Sequence, residues 1–467
     1  MKQKTTFTKG LHLLREAFRG EEYDYTQGSL SKAIFLLAIP MVFEMLMESV
    51  FALVDIYFVS KVSTNAVATI GLTESVVTLI YAVAVGISMA ATAVVARRIG
   101  EGDTEGAKKS VAQVIYIGIA VSTIFSLVGI YFARDILALM KASPAVIEEG
   151  YQYTQILIGG NITIVLLFLI NAVFRGAGNA SYAMWVLIFS NGLNIILDPL
   201  FIFGIGPFPE LGVKGAAVAT TIGRGCAVVL QLFLLWFGKS RIQLGFRYLK
   251  LQWRIITNLI RISWGGIGQF IIGTSSWVFL MRIMSEFGSE VLAGYTIAIR
   301  IMMFSLMPAW GLSNAAATLV GQNLGAQLPK RANKAVWQTS KYNAIFMGLL
   351  SIIFLAWPKE IIGVFSTVPG VVKTGTLSLK IFATGYVFYA FGMVMIQAFN
   401  GAGDTKTPTK INFFCFWLFQ IPLAYFTAIY WDWGPLGVLL VIVVSEIVLT
   451  VMSAYYFRLG KWKNTQV

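Results

Sequence analysis

Twelve long apolar runs divide the sequence, and each is long enough for a helix to cross a lipid bilayer, which takes about 20 apolar residues. Charged residues make up only 12 % of the 467 positions, against roughly 25 % in a soluble domain. The runs are continuous, which excludes a transmembrane β-barrel, because barrel strands alternate apolar and polar residues. The sequence therefore predicts an all-α polytopic membrane protein.

The ends of the runs set the predicted spans. These are 31–60, 65–97, 108–132, 146–174, 180–205, 212–238, 257–285, 290–322, 332–357, 371–400, 408–431 and 435–458. Loops and tails on one side of these spans carry 25 Lys and Arg residues, and loops on the other side carry 7. The positive-inside rule then places both termini in the cytoplasm, and we expect a plasma membrane, the inner membrane of a bacterium. This bias accounts for the net charge of +14 without nucleic acid as a partner.

Three pairs of segments match at one offset of 225 residues. They are 86–113 with 311–338, 174–178 with 399–403, and 211–213 with 436–438. A constant offset predicts two homologous halves of six helices each. Because six is an even number, both halves enter the membrane from the same side, and a pseudo-two-fold axis along the membrane normal relates them, as is typical of secondary transporters.

The predicted division of the chain follows from this repeat. It consists of a cytoplasmic amphipathic tail (1–30), an N-lobe (31–238), a cytoplasmic linker (239–256), a C-lobe (257–459) and a second cytoplasmic tail (460–467). Each lobe is too small to enclose a substrate alone, so we expect a cleft between the two lobes to do so.

Six acidic residues lie at membrane depth, away from the ends of the predicted spans, and five of them are in the N-lobe. They are Glu44, Glu48, Asp55, Glu74, Asp198 and Glu446. An ionisable side chain at membrane depth is costly and usually faces a cavity, which makes it a marker of function. Helical geometry places Glu44, Glu48 and Asp55 on one stripe of the first helix, within about 40° of one another. Pro40 lies beside this stripe and predicts a bend.

Amide and hydroxyl side chains accompany these acids in the N-lobe. Asn194 and Asp198 share one face of the fifth helix, and the fourth helix adds Tyr153, Asn161 and Asn171. The sixth helix offers two adjacent hydroxyls, at 220 and 221. Such oxygen ligands suit a small hard cation, and closely spaced carboxylates also suit proton carriage. The alternative is a network of hydrogen bonds that only joins the helices.

The C-lobe carries bulk where the N-lobe carries charge. Trp277, Met303 and Met307 lie in its first two helices among other Met and aromatic residues. Flexible Met side chains and aromatic rings suit hydrophobic and cationic ligands, and core or lipid-facing packing is the alternative interpretation. Our candidates for the substrate cavity are Met41, Asn161, Gln269, Trp277, Met303 and Met307.

Six short segments, taken together, resemble a known family over nearly the whole chain. They read IPMVFEMLMESVFALVDIYFVSKV, NAVFRGAGNA, LNIILDPLFIFG, LGVKGAAVAT, LVGQNLGA and FNGAGDTKTP in chain order. Their order and spacing resemble the multidrug and toxic compound extrusion (MATE) family. The resemblance implies a V-shaped pair of six-helix lobes that exports amphipathic, cationic drugs by alternating access, in exchange for Na⁺ or H⁺.

The resemblance also implies roles for individual residues. The residues it assigns to cation coupling are Asp55, Tyr153, Asn171, Asn194, Asp198 and Thr220, with Thr221 as an alternative to the last. Pro40 is then the residue at which the first helix bends, and Glu44 and Glu48 are additional cavity acids. Some family members hold a second cation in the C-lobe through acids in the seventh, eighth or tenth helix. The absence of such acids here favours coupling in the N-lobe.

Other classes of function fit the sequence less well. A flippase for a lipid-linked precursor, in the same superfamily, needs a cationic cavity for phosphate, whereas this N-lobe is acidic. An intramembrane enzyme or a channel lacks support, because the sole histidine is His12 and no nucleophile motif or repeated filter sequence occurs. We expect a monomer whose partners are small-molecule drugs and the bilayer, with no ATP, no cofactor besides the coupling ion, and no structural metal.

Overall fold

A computed structural model describes residues 12–20 and 23–467, without the side chains at 52, 56 and 64. The described part holds twelve helices long and apolar enough to cross a membrane. They are α1 (Leu30–Val59), α2 (Asn65–Gly100), α3 (Thr104–Leu139), α4 (Pro144–Ala177), α5 (Ala180–Phe203), α6 (Val213–Phe237), α7 (Trp253–Ser285), α8 (Ser289–Gly325), α9 (Pro329–Ala356), α10 (Pro369–Gly401), α11 (Lys406–Tyr430) and α12 (Pro435–Leu459). The predicted all-α fold is confirmed. Residues 1–11 and 21–22 of the predicted first tail lie outside the described residues.

Polar side chains cap the starts of three N-lobe helices. The side chains of Ser63, Asp103 and Ser143 accept hydrogen bonds from the backbone amides at the starts of α2, α3 and α4, which satisfies donors that have no partner within the helix. The last turn of α4 ends at Gly178, whose φ of +90° is the left-handed conformation that closes many helices. These caps allow the short connections between neighbouring spans.

Three spans contain a break, an internal proline or a change of helix type. The fourth span is two helical pieces, Pro144–Gly159 and Ile162–Ala177, joined at residues 160–161. By contrast, α1 runs as a continuous helix through Pro40. Most of α11 has the wide turns of a π-helix, over Phe413–Gln420 and Phe426–Tyr430, a form for which the sequence carries no periodic signal.

Glycines of the predicted repeat lie where the two lobes approach most closely. A β-carbon on Gly86 would lie 2.6 Å from the backbone nitrogen of Ile267, and one on its repeat partner Gly311 would lie 2.7 Å from the carbonyl oxygen of Met41. Gly100 and Gly325 form a second such pair, since their β-carbons would lie 2.0 and 2.2 Å from carbonyl oxygens of the opposite lobe. The pseudo-two-fold relation between the halves is therefore confirmed.

The third matched segment is an exception to the common offset. Gly212 precedes α6 with φ +56°, and the residue with the same conformation before α12 is Gly434, with φ +59°. The two helices that follow have the same length of 25 residues, so α6 and α12 are equivalent at an offset of 222. The predicted equivalence of 211–213 with 436–438 is wrong, because the connection into the last helix is shorter: it comprises residues 431–434, against residues 204–212 before α6.

The lobes meet at one face of the molecule, which we call the terminal face because it carries residues 12–20 and 460–467. There α1 packs against α8, and α2 packs against α7 and α8. The Thr318 hydroxyl donates to the carbonyl oxygen of Arg175 at 3.1 Å, and the Gln322 amide donates to that of Gly176 at 3.0 Å. Beyond Gly86 and Gly311, towards the opposite face, described residues of the two lobes share no hydrogen bond, and a cavity separates them.

Gly100→Ala tests whether backbone contact closes the terminal face. We expect this variant to lose about 1–3 kcal/mol of unfolding free energy, the usual cost of overpacking a tight site. The matched control is Gly71→Ala in the same helix, where an added β-carbon meets no atom within 4 Å. Thermal unfolding in detergent compares the two variants. Equal shifts in Tm would contradict a tight backbone contact between the lobes at Gly100.

Candidate functional site: a cavity between the lobes

A cavity of about 380 Å³ lies between the two lobes. Its wall is built from α1, α2, α4, α5 and α6 on the N-lobe side and from α7, α8 and α10 on the C-lobe side. Because the lobes touch only near the terminal face, this space narrows towards that face. Residues near it, such as Arg175 and Gly401, form what we call the cavity floor.

The two sides of the cavity differ in charge. The N-lobe side presents four carboxylates and two guanidinium groups, those of Glu44, Glu48, Asp55, Glu74, Arg175 and Arg224. The C-lobe side consists of apolar, aromatic and amide residues, among them Phe270, Met307, Trp310, Asn314, Gln397 and Asn400. The described lining residues thus give an acidic wall opposite an uncharged aromatic wall.

Five of the six predicted coupling residues lie close together in the N-lobe, away from the floor. This outer cluster comprises Asp55, Tyr153, Asn194, Asp198 and Thr220. The Asn194 amide donates to Oδ1 of Asp198 at 3.2 Å and to the Thr220 hydroxyl at 3.4 Å. Asp55 lies within electrostatic range of both Asp198 and Tyr153. Of the two alternatives at the start of α6, Thr220 is the one that bonds to the cluster.

Three unpartnered oxygen atoms make the outer cluster a candidate ligand site. Oδ1 of Asp55, Oδ1 of Asn194 and Oδ2 of Asp198 are buried and accept no hydrogen bond. Buried polar atoms are nearly always satisfied in native proteins, so three orphans in one cluster need an explanation. Carboxylate and amide oxygens in this arrangement can hold a hard cation or a shared proton.

The sixth predicted coupling residue, Asn171, belongs to a different group. Its amide donates to Oε1 of Glu44 at 3.2 Å, and its own oxygen accepts from the Gln231 amide at 2.7 Å. Arg175, one turn further along α4, forms an ion pair with Glu44. This inner cluster of Glu44, Asn171, Arg175 and Gln231 lies at the cavity floor. The structure thus separates Asn171 from the outer cluster, because it lies five helical turns from Tyr153 along the fourth span, about 27 Å at the rise of an α-helix.

Arg224 is the buried cation that interacts with the remaining wall acids. Its guanidinium lies over the ring of Phe51, 4.8 Å from the centroid, and donates to the Tyr81 hydroxyl at 3.2 Å. It interacts electrostatically with the carboxylates of Glu48, Asp55 and Glu74. One buried guanidinium therefore offsets part of the negative charge of the acidic wall.

Sequence reasoning missed the place of Arg175, which it counted as a base in a loop between spans. The side chain is only 12 % exposed and points from the last turns of α4 to Glu44 on α1. The sequence spacing does indicate an inward position for Arg175, because it follows Asn171 by four residues and so lies on the same helix face.

Most predicted substrate-cavity residues lie elsewhere. Only Met307 is on the cavity wall. Met41 is fully buried in the core cluster that joins the lobes at the terminal face. Trp277 and Met303 pack against the C-lobe core. Sequence spacing identified the right helices but not the faces that the lobe arrangement turns towards the cavity.

The two predicted amides of that set are bonded within their own lobes. Asn161 donates to the carbonyl oxygen of Ser122 at 3.1 Å and to the Ser126 hydroxyl at 3.0 Å, so it ties the break in α4 to α3. Gln269 is buried behind the wall and donates to Oδ1 of Asn400 at 3.0 Å. Neither is a lining residue of the described cavity.

Twelve apolar helices in two pseudo-symmetric lobes around a polar cavity define a multi-pass membrane protein with transporter architecture. The MatE family model matches residues 40–200 and 267–426, one match in each lobe. The chain belongs to the MatE family, which confirms the resemblance seen in its sequence.

Curated relatives match along most of their length. A probable multidrug resistance protein NorM of Thermotoga maritima is 27 % identical over 445 residues, covering 94 % of both chains. An FAD transporter of Shewanella oneidensis is 25 % identical over 87 % of this chain and 89 % of its own. Multidrug export protein MepA of Staphylococcus aureus is 23 % identical over 83 % and 85 %.

Solved structures share the fold. One is described as an outward-facing conformation of a multidrug resistance MATE family transporter of the MOP superfamily; it superposes with a TM-score of 0.88 at 24 % identity, covering 94 % of this chain and 98 % of that one. Another is a MOP superfamily transporter from Pyrococcus furiosus, with a TM-score of 0.87, 23 % identity and the same coverage, whose reverse polarity of binding pocket is said to suggest a different function.

Arg224→Met tests the charge balance of the acidic wall. We expect a loss of about 3 kcal/mol in unfolding free energy, because removing a buried cation leaves neighbouring carboxylates uncompensated. Tyr81→Phe, which removes only the hydroxyl that Arg224 contacts, is the matched control and should cost about 1 kcal/mol. Unfolding in mixed micelles measures both, and a cost for Arg224→Met no larger than the control would contradict this role.

Proposed function

We propose that the protein is a secondary active efflux transporter, which exports amphipathic cationic compounds in exchange for inward H⁺ or Na⁺. The observation that carries this proposal is the outer cluster, three unpartnered buried oxygens beside a cavity that Asp55 also lines. A coupling cation and a substrate can therefore influence each other through one carboxylate. The names of the relatives NorM and MepA support multidrug export as the activity.

The charge of the cavity supports a cationic substrate. The N-lobe wall carries four carboxylates and only two guanidinium groups, so it has an excess of negative charge. The opposite wall offers Phe270 and Trp310, whose ring faces attract cations and bury apolar surface. The same excess disfavours a flippase for phosphate-bearing lipids, and it disfavours an anion such as FAD, which the Shewanella oneidensis relative is named for transporting.

Coupling in this proposal depends on α1, which joins the two functional regions. Residues 30–41 of this helix belong to the sealed terminal face, whereas Glu44, Glu48 and Asp55 lie on the cavity wall. Pro40 falls at the junction and leaves one carbonyl without its helical hydrogen bond, which makes bending there easier. Cation binding at Asp55 neutralises charge on the cavity half of α1 and shifts the balance between straight and bent forms.

The orientation of the protein in the membrane follows from the side on which its basic loops lie. If the terminal face is cytoplasmic, as the positive-inside rule predicts, the cavity described here opens towards the outside. The protein then rests in the state that releases drug and accepts the coupling cation, and the plasma membrane is its location.

Asp55→Asn and Asp198→Asn test the coupling site. In proteoliposomes, we expect ethidium transport driven by an imposed Na⁺ or pH gradient to fall at least tenfold in each variant, because the amide cannot take up the coupling charge. The matched control is Glu148→Gln, an acid on the N-lobe surface whose side chain is 70 % exposed, which should keep the wild-type rate.

Separate gradients identify the coupling ion. Wild-type protein should respond to one of the two gradients and show no uphill transport without either. Wild-type rates in both Asp variants would contradict the assignment of the outer cluster, and transport that ignores both gradients would contradict antiport itself.

A further inference from the structure

The ion pair at the cavity floor has an uncharged counterpart in the other lobe. At the repeat offset of 225, Glu44 corresponds to Gln269 and Arg175 corresponds to Asn400. Gln269 and Asn400 exchange two amide hydrogen bonds, of 3.0 and 3.2 Å. The same two positions of the fold are thus joined by charge in the N-lobe and by neutral amides in the C-lobe.

This comparison shows that joining these helices does not require charge. The neutral pair connects α7 with α10 just as the charged pair connects α1 with α4. A buried ion pair usually adds no stability over a neutral replacement, since desolvation offsets the attraction between the charges. The charged version in the N-lobe therefore calls for a reason other than holding the fold together.

The two pairs also differ in what they leave unbonded. In the C-lobe, the Gln269 oxygen is occupied by the Asn400 amide. In the N-lobe, Arg175 and Asn171 both bond to Oε1 of Glu44, and the other oxygen, Oε2, is buried and has no partner. Glu44 is 1 % exposed and lies on the cavity wall. A carboxylate oxygen that is held in place and unbonded at the floor is an acceptor for a ligand.

The chemistry of that ligand follows from the neighbours of Oε2. Since Arg175 already balances the charge of Glu44, a cation without hydrogen-bond donors gains little there. A cation with N–H groups, such as a protonated amine or an amidinium, gains a charge-assisted hydrogen bond, which is about twice as strong as a neutral one.

We propose that Glu44 is a substrate-binding residue at the cavity floor, whose Oε2 accepts a hydrogen bond from N–H-bearing cations. Arg175 and Asn171 act as positioning residues, because they hold Oε1 and so fix the orientation of the carboxylate. This subsite rests on the proposed export of cations and is distinct from the outer cluster, which takes the coupling ion.

The floor also lies next to the seal between the lobes. The backbone carbonyl of Arg175 accepts the Thr318 hydroxyl of the C-lobe, and the following residue, Gly176, accepts Gln322. A substrate anchored at Glu44 therefore lies beside Arg175. The backbone of Arg175 and of the next residue makes the contacts between the lobes that must break when the terminal face opens.

The double variant Glu44→Gln/Arg175→Asn tests the proposal by copying the C-lobe pair into the N-lobe. It keeps the net charge of the floor unchanged, and the Gln269–Asn400 pair shows that this combination fits the fold. Isothermal titration of the purified full chain compares two probes, 4′,6-diamidino-2-phenylindole, an amidinium with N–H donors, and tetraphenylphosphonium, a cation with none.

We expect the Kd for the amidinium to rise about tenfold or more, and the Kd for tetraphenylphosphonium to change less than twofold. Glu44→Gln alone, measured in the same way, leaves Arg175 unpaired and adds one positive charge to the floor, so it should weaken the binding of both probes and weaken that of the amidinium at least tenfold more. The matched control is Glu148→Gln/Arg134→Asn, the same exchange at an exposed ion pair, which should leave both affinities unchanged.

Three other outcomes overturn the proposal. Unchanged amidinium binding in the double variant would show that Glu44 makes no contact with substrate. An equal loss for both probes would show that the pair only shapes the cavity. If wild-type protein binds neither cation, the proposed function fails as well, whereas selective failure at Glu44 leaves cation export and the outer cluster standing.

Discussion

Close backbone contact at the terminal face is the constraint on which the rest of the structure depends. Gly86, Gly100, Gly311 and Gly325 let helices of opposite lobes touch where any side chain would collide with a backbone atom of the other lobe. With the lobes joined there and separated beyond, the cavity, its acidic wall and its floor follow. The repeat explains why these glycines come in pairs: one six-helix unit, used twice, must present the same close-packing surface to its copy.

The two copies have diverged in charge while keeping their geometry. Glu44 and Arg175 occupy the positions of Gln269 and Asn400, and the offset of 222 between the last helices of the lobes places Arg224 opposite Glu446. Charged groups are costly at membrane depth, so the N-lobe concentrates them around water-accessible space and pairs them with two arginines. The C-lobe supplies the apolar and aromatic wall. An asymmetric cavity inside a symmetric frame suits a protein that must bind a cation and an amphipathic substrate at neighbouring places.

Much of this could be predicted from sequence, because hydropathy and helical spacing act locally. The twelve spans follow from hydropathy, the repeat follows from matched segments, and the shared face of Asn194 and Asp198 follows from their spacing of four residues. The grouping of these two residues with Asp55 and Thr220 was implied by the family resemblance. Predictions failed where the position of a residue along or around its helix decides its partners. Asn171 lies five helical turns from Tyr153 along the fourth span and joins the inner cluster instead, and Arg175, taken for a loop base, points inward to Glu44. Met41, Trp277 and Met303 lie on helices that line the cavity, but Met41 is buried where the lobes join and the other two pack against the C-lobe core.

The sequence alone determined the class of the protein, its two-fold repeat and the lobe that carries the membrane-embedded acids, since each of these follows from composition and spacing along the chain. Tertiary structure alone decided which of those acids share a site, which oxygen atoms lack a partner, and which aromatic side chains face the cavity. The physical reason is that these properties depend on the rotation and tilt of each helix against helices distant in sequence. Packing at the terminal face sets that rotation and tilt, and no periodicity within a single span encodes it.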